Sequence, residues 1–368
     1  MHRSLLLEEI AQHIFEALHA ADQLSTLASL AVTCRRFHGP ALDVLWKEIY
    51  DLAPLVKCFP ADAWVVELDQ QTSSKTLKMT RPLLVQDWTV VSTYANRIKA
   101  LSYACEEAEL DPNVLQALLI FRPILILFPK LHTLQWAEGL SNLPAMITLT
   151  GPELKTLEVF TRSSSEDDTQ VIASSLAYIG ARCPNLESIT VFIAFGTIFR
   201  ALEIDSLVAS SKRLQHFMCS SISCSQSSLL ALAKLENLQQ LSLRLPDGML
   251  FPVLTGFETF PALRNLTIDG HFHECLNFFE AMNLARLETL QVRADSRHDH
   301  PNIQSLLTSI RFGPDHFRMT TMDLEIKAES SASMSLISSD DIRPLFVLRN
   351  LQNVHISVQT FTCEGSLY

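Results

Sequence analysis

The side chains best equipped for chemistry in this chain are histidines, cysteines and serines in a few short clusters. His271-Phe272-His273 followed by Cys275 puts three metal-ligating side chains at alternate positions, a spacing that would set them on one face of a strand. A structural zinc site needs four ligands, and no fourth stands near them in sequence. His298-Asp299-His300 precedes Pro301 in a polar stretch and reads as a solvated turn. The run Ser163-Ser164-Ser165-Glu166-Asp167-Asp168 could accept phosphate, although the same residues suit a solvated loop that caps the next helix. Asn265-Leu266-Thr267 has the spelling of a glycosylation sequon but falls in a predicted strand. No H-E-x-x-H, G-x-S-x-G, G-x-G-x-x-G or Walker sequence occurs. The expectation is a chain with no metal, no cofactor and no catalytic constellation, and so not an enzyme.

Composition narrows the remaining classes. A formal charge of -11 argues against nucleic acid or an anionic membrane as the main partner. Ten glycines leave little material for phosphate-cradling loops. With 48% hydrophobic and 19% charged residues, the 368-residue chain can bury a sizeable core. None of the eight cysteines forms a C-x-x-C pair, and most sit among apolar neighbours, as buried free thiols do. Leu5-Leu6-Leu7 is too short for a signal-peptide core, and Arg122-Pro123 interrupts the longest apolar run, Val114 to Phe128. An intracellular protein of the cytoplasm or nucleus is expected, with no membrane partner.

What could position a binding surface is a repeat. Phe260-Pro261-Ala262-Leu263-Arg264-Asn265-Leu266-Thr267-Ile268-Asp269 holds an L-x-x-L-x-L frame. The frame recurs from Ile98, Leu131, Leu154, Leu186, Leu214, Leu238, Leu263, Leu287, Met319 and Leu351, at intervals of 23 to 33 residues. Strand side chains alternate, so the fourth and sixth residues face one side together, as in Leu134/Trp136, Leu157/Val159, Ile189/Val191, Leu241/Leu243, Leu266/Ile268 and Leu290/Val292. A single such strand cannot bury its apolar face alone, but stacked copies make one continuous core. The pattern resembles leucine-rich repeats in an irregular form. The resemblance implies an α/β solenoid with a parallel concave sheet and convex helices. Helices are predicted at 170–181, 198–208, 227–235, 274–283, 303–310 and 341–348.

The position three residues past the last strand leucine often carries Asn or Cys in regular repeats. Here it holds Gly139, Arg162, Ala194, Ile222, Pro246, His271, Asp295, Lys327 and Gln359, so no side-chain ladder can tie down the turns. An irregular arc is expected. The third, fifth and seventh frame residues should line the concave face, and Gln135, Glu158, Phe160, Phe192, His216, Arg244, Asp269 and Arg293 are the candidate target-binding residues. Two phenylalanines beside a charged stripe suit an anchor-and-rim protein contact, unless a loop folds over them and makes them core. Twelve residues follow Ile356, too few for a polar capping repeat, so the end is expected to be frayed or continued in a longer product.

Residues 1–50 differ from the rest. Ile10, Ile14, Ala17 and Leu18 lie at helical spacing; Asp22 can cap a second helix with Leu24, Leu27, Leu30 and Ala31 as its stripe. Gly39-Pro40 should break the chain before a third helix, Ala41 to Ile49, with Leu42, Leu45 and Trp46 inward. The ordered set Leu6, Glu9, Ile10, Ile14, Phe15, Leu18, Asp22, Leu24, Leu30, Val32, Cys34, Arg35, Phe37, Leu45, Trp46 and Ile49 resembles an F-box, with Leu7 where that family usually has Pro and Phe37 where Trp is common. Residues 51–97 read as a connector: a loop-rich joint to Lys78, then a helix capped by Asp87 with Trp88 and Val91 buried. Residues 98–368 are the solenoid, about ten strand units. The segments LWKEI, RPL-x(3)-DW and YANRIKAL extend the resemblance to F-box/leucine-rich-repeat proteins abundant in mushroom-forming fungi.

That resemblance implies docking on a Skp-family adaptor of a cullin-RING ubiquitin ligase, with Leu6, Leu7, Ile10, Ile14, Leu18, Leu27, Leu30 and Trp46 as adaptor-binding positions. It also implies an unknown target protein on the concave face. The competing reading is a ligase-independent repeat scaffold whose F-box-like segment has degenerated.

Overall fold

A computed structural model describes residues 8–68, 75–104, 110–120, 122–139, 142–162, 168–194, 204–248, 259–282, 284, 286–296, 302–310, 318–329 and 338–361. The fold is a three-helix N-terminal module followed by parallel strands with intervening helices, an α/β solenoid-like arrangement. The chain divides into two compact units, Met1–Thr161 and Arg162–Tyr368.

Unit one opens with α1 (Glu8–Ala20), α2 (Leu24–Thr33) and α3 (Arg35–Leu45). Their core is Ala11 and Phe15 from α1, Leu27 and Ala31 from α2, and Phe37, Ala41, Leu42 and Val44 from α3. Phe15 meets Phe37 edge to face, with ring centroids 5.5 Å apart. Two predicted boundaries are corrected. Asp22 is not a cap: it sits in the α1–α2 turn at φ +55°, and Gln23 takes the N-cap position without a side-chain bond. Gly39-Pro40 does not break the chain either, because α3 runs through it. An interior proline forfeits one backbone hydrogen bond and costs about 3 kcal/mol. Gly39 has no Cβ to strike the Pro40 ring, and the four buried side chains of α3 offset the loss.

The third helix also ends earlier than predicted. Glu48–Ile49 forms a short strand, β1, not a helical turn. After it come α4 (Ala53–Val56), an antiparallel hairpin of β2 (Trp64–Leu68) and β3 (Lys75–Met79), and α5 (Trp88–Ala95). Among its described residues the expected loop-rich joint therefore carries a short helix and a hairpin, and residues 69–74 lie outside the described residues. Asp87 closes a 3-10 turn, Val85–Asp87, and its carboxylate accepts the Leu84 N–H at 2.8 Å, so it ties the turn before α5 without capping α5 itself. The unit continues with β4 (Ala100–Ala104), α6 (Pro112–Ile120), β5 (Thr133–Ala137), α7 (Leu143–Leu149) and β6 (Thr156–Arg162). Strands β1, β4, β5 and β6 are hydrogen-bonded neighbours in that order, and the register aligns Leu101, Leu134 and Leu157. Helices α6 and α7 were not expected from the sequence.

Unit two alternates α8 (Asp168–Arg182), β7 (Ser188–Ala194), α9 (Asp205–Ser210), β8 (His216–Ser223), α10 (Gln226–Leu232), β9 (Gln240–Arg244), β10 (Asn265–His271), α11 (Phe272–Ala281), β11 (Thr289–Ser296), α12 (Ile303–Ser309), β12 (Thr321–Glu329) and β13 (Asn353–Phe361). Its seven strands are parallel and stand in sequence order. Every frame predicted from the sequence carries a strand, and the register stacks Ile189, Phe217, Leu241, Leu266, Leu290, Met322 and Val354 in one row. Three expectations change. α9 is a six-residue helix standing where 198–208 was expected to be one longer helix; residues 198–203 of that span lie outside the described residues. Residues 341–348 contain a 3-10 turn, Arg343–Val347, with Pro344 in its first turn. Arg162, Ala194, Ile222, His271, Asp295, Lys327 and Gln359 lie within strands, so longer backbone ladders occupy the places where a turn ladder would stand.

Candidate functional site

The predicted binding residues fall on the helical module, on a strand face of unit one and on a strand face of unit two. On α1 the buried side is Ala11 and Phe15. Ile10 and Ile14, four residues apart, therefore share the outer side, where they are 36% and 39% exposed. Leu18 and Leu30 are half-buried against the module's core. Leu27 is fully buried and belongs to that core. Trp46 is half-buried and stacks on Tyr94, with ring centroids 4.7 Å apart, so it fastens the module to α5. Leu6 and Leu7 lie outside the described residues. The sequence reading missed Val32 as a surface residue; it is 83% exposed on the side of α2 away from Leu27 and Ala31. Leu24 is exposed at the start of the same helix, beside a cleft lined by Glu16, His19, Lys47, Glu48 and Tyr50. Glu16 is held below its ordinary acidity range by the Gln12 amide, which donates to it at 3.0 Å.

The module is anchored through α3. Arg97 donates from Nη1 to the Gly39 carbonyl at 3.3 Å and pairs with Asp43. Further along, Arg81 bridges two carboxylates, with Nε 2.8 Å from Asp62 and Nη1 2.7 Å from Asp87. The Arg81 guanidinium and the Leu84 N–H together pull the Asp87 carboxyl below its ordinary value.

On the strand face of unit one, Gln135 donates to Glu158 at 2.9 Å and accepts from the Ser102 hydroxyl. These three in-register polar residues lie beside Phe160, which is 40% exposed. On the strand face of unit two, Phe192 is 46% exposed on β7, and His216 is half-buried on β8. The seventh frame residues then run Arg244, Asp269, Arg293 and Glu325 across β9 to β12 in direct register. Arg293 stands 3.9 Å from Asp269 and 3.7 Å from Glu325. Burial raises the Asp269 carboxyl, while Arg293 and Arg244 pull it back. One row lower, Gln291 donates to Asp323 at 3.0 Å. These rows place charges of both signs, with amide donors and acceptors, on the strand face of unit two, the makings of a polar rim.

The histidine and cysteine clusters resolve differently. His271 ends β10 and Phe272 starts α11, so the predicted one-strand alternation of His271, His273 and Cys275 does not exist. His271 instead faces Asp247, with Nε2 3.3 Å from Oδ1. Cys275 is buried and its thiol is pushed up by that burial; Cys58 is pushed up to about 11 in the same way. Among the described residues Cys34, Cys58, Cys183, Cys219, Cys224 and Cys275 form no disulfide. Among the described residues no group of three or more His, Cys, Asp or Glu side chains could hold a metal ion, and no helix is long and apolar enough to cross a membrane. His298-Asp299-His300 and Ser163 to Asp167 lie outside the described residues.

Residues 8–51 match the F-box-like family, which spans the whole helical module and β1. No curated protein matches the chain. Among solved structures the chain is similar to a protein from Bacteroides fragilis, at 14% identity and a TM-score of 0.38, covering 63% of this chain and 76% of that one. It is also similar to the Rad7 and Elc1 complex of yeast, at 11% identity and a TM-score of 0.29, covering 99% of this chain and 92% of that one. Likenesses of that strength bear on neither partner nor activity.

Proposed function

We propose that this chain is a substrate-recognition subunit of an SCF-type cullin-RING ubiquitin ligase, of the F-box/leucine-rich-repeat kind its sequence resembles in mushroom-forming fungi. The observation that carries this reading is the F-box-like match over residues 8–51, on a module whose α1 and α2 leave Ile10, Ile14, Leu24 and Val32 at the surface. Apolar side chains of that size on a small helical module are what a second protein would cover. The helical module docks on a Skp-family adaptor, and a strand face receives a target protein, either that of unit one with Phe160 as anchor or that of unit two with Phe192 as anchor and the charged rows as rim. The protein itself breaks and makes no bonds. It acts by proximity, raising the effective concentration of target lysines beside the conjugating enzyme. Its place of work is the cytoplasm or the nucleus.

Co-expression with a Skp-family adaptor, followed by affinity capture and size exclusion, tests the reading. A one-to-one complex is expected. A folded chain that elutes without the adaptor would overturn it and leave a ligase-independent binding scaffold.

A further inference from the structure

Among the described residues, β13 has one unpaired edge and an apolar face that is partly open. β13 pairs with β12 through all nine residues from Asn353 to Phe361, and among the described residues no strand pairs with its other edge. In the two preceding units the first, fourth and sixth frame residues are sealed: Leu287, Leu290 and Val292, then Met319, Met322 and Leu324, are all at most 3% exposed. The corresponding residues of the last unit are Leu351, Val354 and Ile356, of which Val354 is 48% exposed and the other two half-buried. Where α12 precedes β12, the described residues before β13 hold the 3-10 turn Arg343–Val347, and its Phe346 and Val347 are exposed as well.

The sequence of β13 does nothing to blunt this edge. Asn353-Val354-His355-Ile356-Ser357-Val358-Gln359-Thr360-Phe361 contains no Lys, Arg, Asp, Glu or Pro, the residues that discourage edge-to-edge pairing. Its alternation is also symmetric about Ile356. Counting outward, His355 matches Ser357, Val354 matches Val358, and Asn353 matches Gln359.

We propose that a second copy of this chain covers this end, its β13 pairing antiparallel with the first about a two-fold axis through Ile356. In that register Ile356 meets Ile356 of the partner subunit and Val354 meets the partner's Val358 on one face. His355 meets the partner's Ser357 and Asn353 meets the partner's Gln359 on the other. Apolar thus opposes apolar and uncharged polar opposes uncharged polar along the whole contact. A two-fold perpendicular to the sheet keeps both apolar faces on the same side, so Phe346 and Val347 of each copy lie beside the partner's core. An isologous contact of this kind closes at two copies and does not propagate into fibres. Complementarity of polarity is what selects a second copy. The chain carries a formal charge of -11, and a self-contact is tolerable only where the meeting strands are themselves uncharged. The proposal does not depend on the adaptor reading.

Sedimentation or light scattering on the full chain should give twice 41.3 kDa at micromolar concentration. Ile356→Lys sets two like charges against each other on the axis and should weaken the dimer at least tenfold. Because that change also touches the end of the core, Ile356→Cys serves as the second variant. Opposed residues in an antiparallel pair have Cα atoms about 4.5 to 5.5 Å apart, within the roughly 4.4–6.8 Å range of a disulfide. Ile356→Cys should therefore cross-link two full-length chains under mild diamide oxidation, while His355→Cys, whose counterpart is the partner's Ser357, should not. A monomer at every concentration overturns the proposal. So does a dimer in which Ile356→Cys fails to cross-link, or association into species larger than two copies.

Discussion

The carbonyl of Lys47 accepts the backbone N–H of Lys99 at 2.8 Å, and the neighbouring N–H of Ala100 reaches the same oxygen at 3.0 Å. The same two-to-one bond recurs along the chain. Lys99 accepts from His132 and Thr133, His132 from Lys155 and Thr156, Gln215 from Gln239 and Gln240, Gln239 from Arg264 and Asn265, and so on to Thr320 with Gln352 and Asn353. In each case the acceptor is the second residue of one frame and the donors are the second and third of the next. This backbone bond opens each strand pairing at the same frame position, whatever the side chains there. Lys47 holds the acceptor position although it belongs to the helical module, so Trp46-Lys47-Glu48-Ile49 serves at once as the end of the F-box-like segment and as the first strand frame.

If one segment belongs to both structures, the Trp46–Tyr94 stack couples them. Trp46→Ala should cost about 3–5 kcal/mol of folding stability, and in a double-mutant cycle with Tyr94→Ala the pair should show a coupling of about 0.5–1.5 kcal/mol. Additive losses in urea unfolding would mean that the module is only loosely attached.

The two apolar sides of α1 should separate cleanly in function. Ile10→Asp with Ile14→Asp changes residues that already meet solvent, so the melting temperature should hold within a few degrees. Adaptor affinity, read by calorimetry, should fall at least a hundredfold. Leu27→Ala should do the reverse: a loss of about 2–5 kcal/mol in stability from the cavity it leaves, with adaptor affinity per folded molecule retained.

Those sides show where the sequence is readable and where it is not. α1 carries two apolar pairs at helical spacing, Ile10 with Ile14 and Ala11 with Phe15, and periodicity alone cannot choose which pair turns inward. Phe37 and Ala41 choose, by packing on Phe15 from a helix whose path across Gly39-Pro40 looked broken in one dimension. The ten strand frames were legible because a buried sheet face demands apolar residues at fixed alternation. β1 was not, since Trp46 to Ile49 supplies only half a frame and continues a helix. The hairpin at Trp64–Leu68 and Lys75–Met79 was missed because β2 is exposed along most of its length and shows no in-out alternation. The outer strand face could be assigned by parity, but the pairing of Arg293 with both Asp269 and Glu325 depends on register between strands far apart in sequence.

The connector should be the acid-sensitive part of unit one. Asp87 has its folded-state acidity below the ordinary value through Arg81 and the Leu84 N–H. A depressed carboxyl contributes stability that is full above the unfolded value, about 3.9, and is lost as pH falls through the folded value. Asp87→Asn should therefore unfold at a lower temperature than wild type at pH 7. The gap should close below about pH 4, where wild type loses the same charge. A gap that is constant with pH would assign Asp87 a packing role only.

Gly180 should be the least replaceable glycine in a helix here. Glycine inside a helix is ordinarily a defect, and alanine in its place gains about 0.5–1 kcal/mol. In α8, however, a Cβ at residue 180 would lie 3.0 Å from the Leu207 Cα and 3.3 Å from the Leu207 carbonyl oxygen. Those are backbone atoms of α9, which cannot swing aside as a side-chain tip would. The helix gain is real, but it is set against an overpacking cost of about 1–3 kcal/mol, so the sign reverses. Gly180→Ala should lower stability in urea unfolding, and Gly180→Val should lower it further, since branching adds bulk at the same contact. An alanine variant as stable as wild type would mean that α8 and α9 can slide apart at little cost, and that their close approach is a consequence of the glycine, not a requirement of unit two.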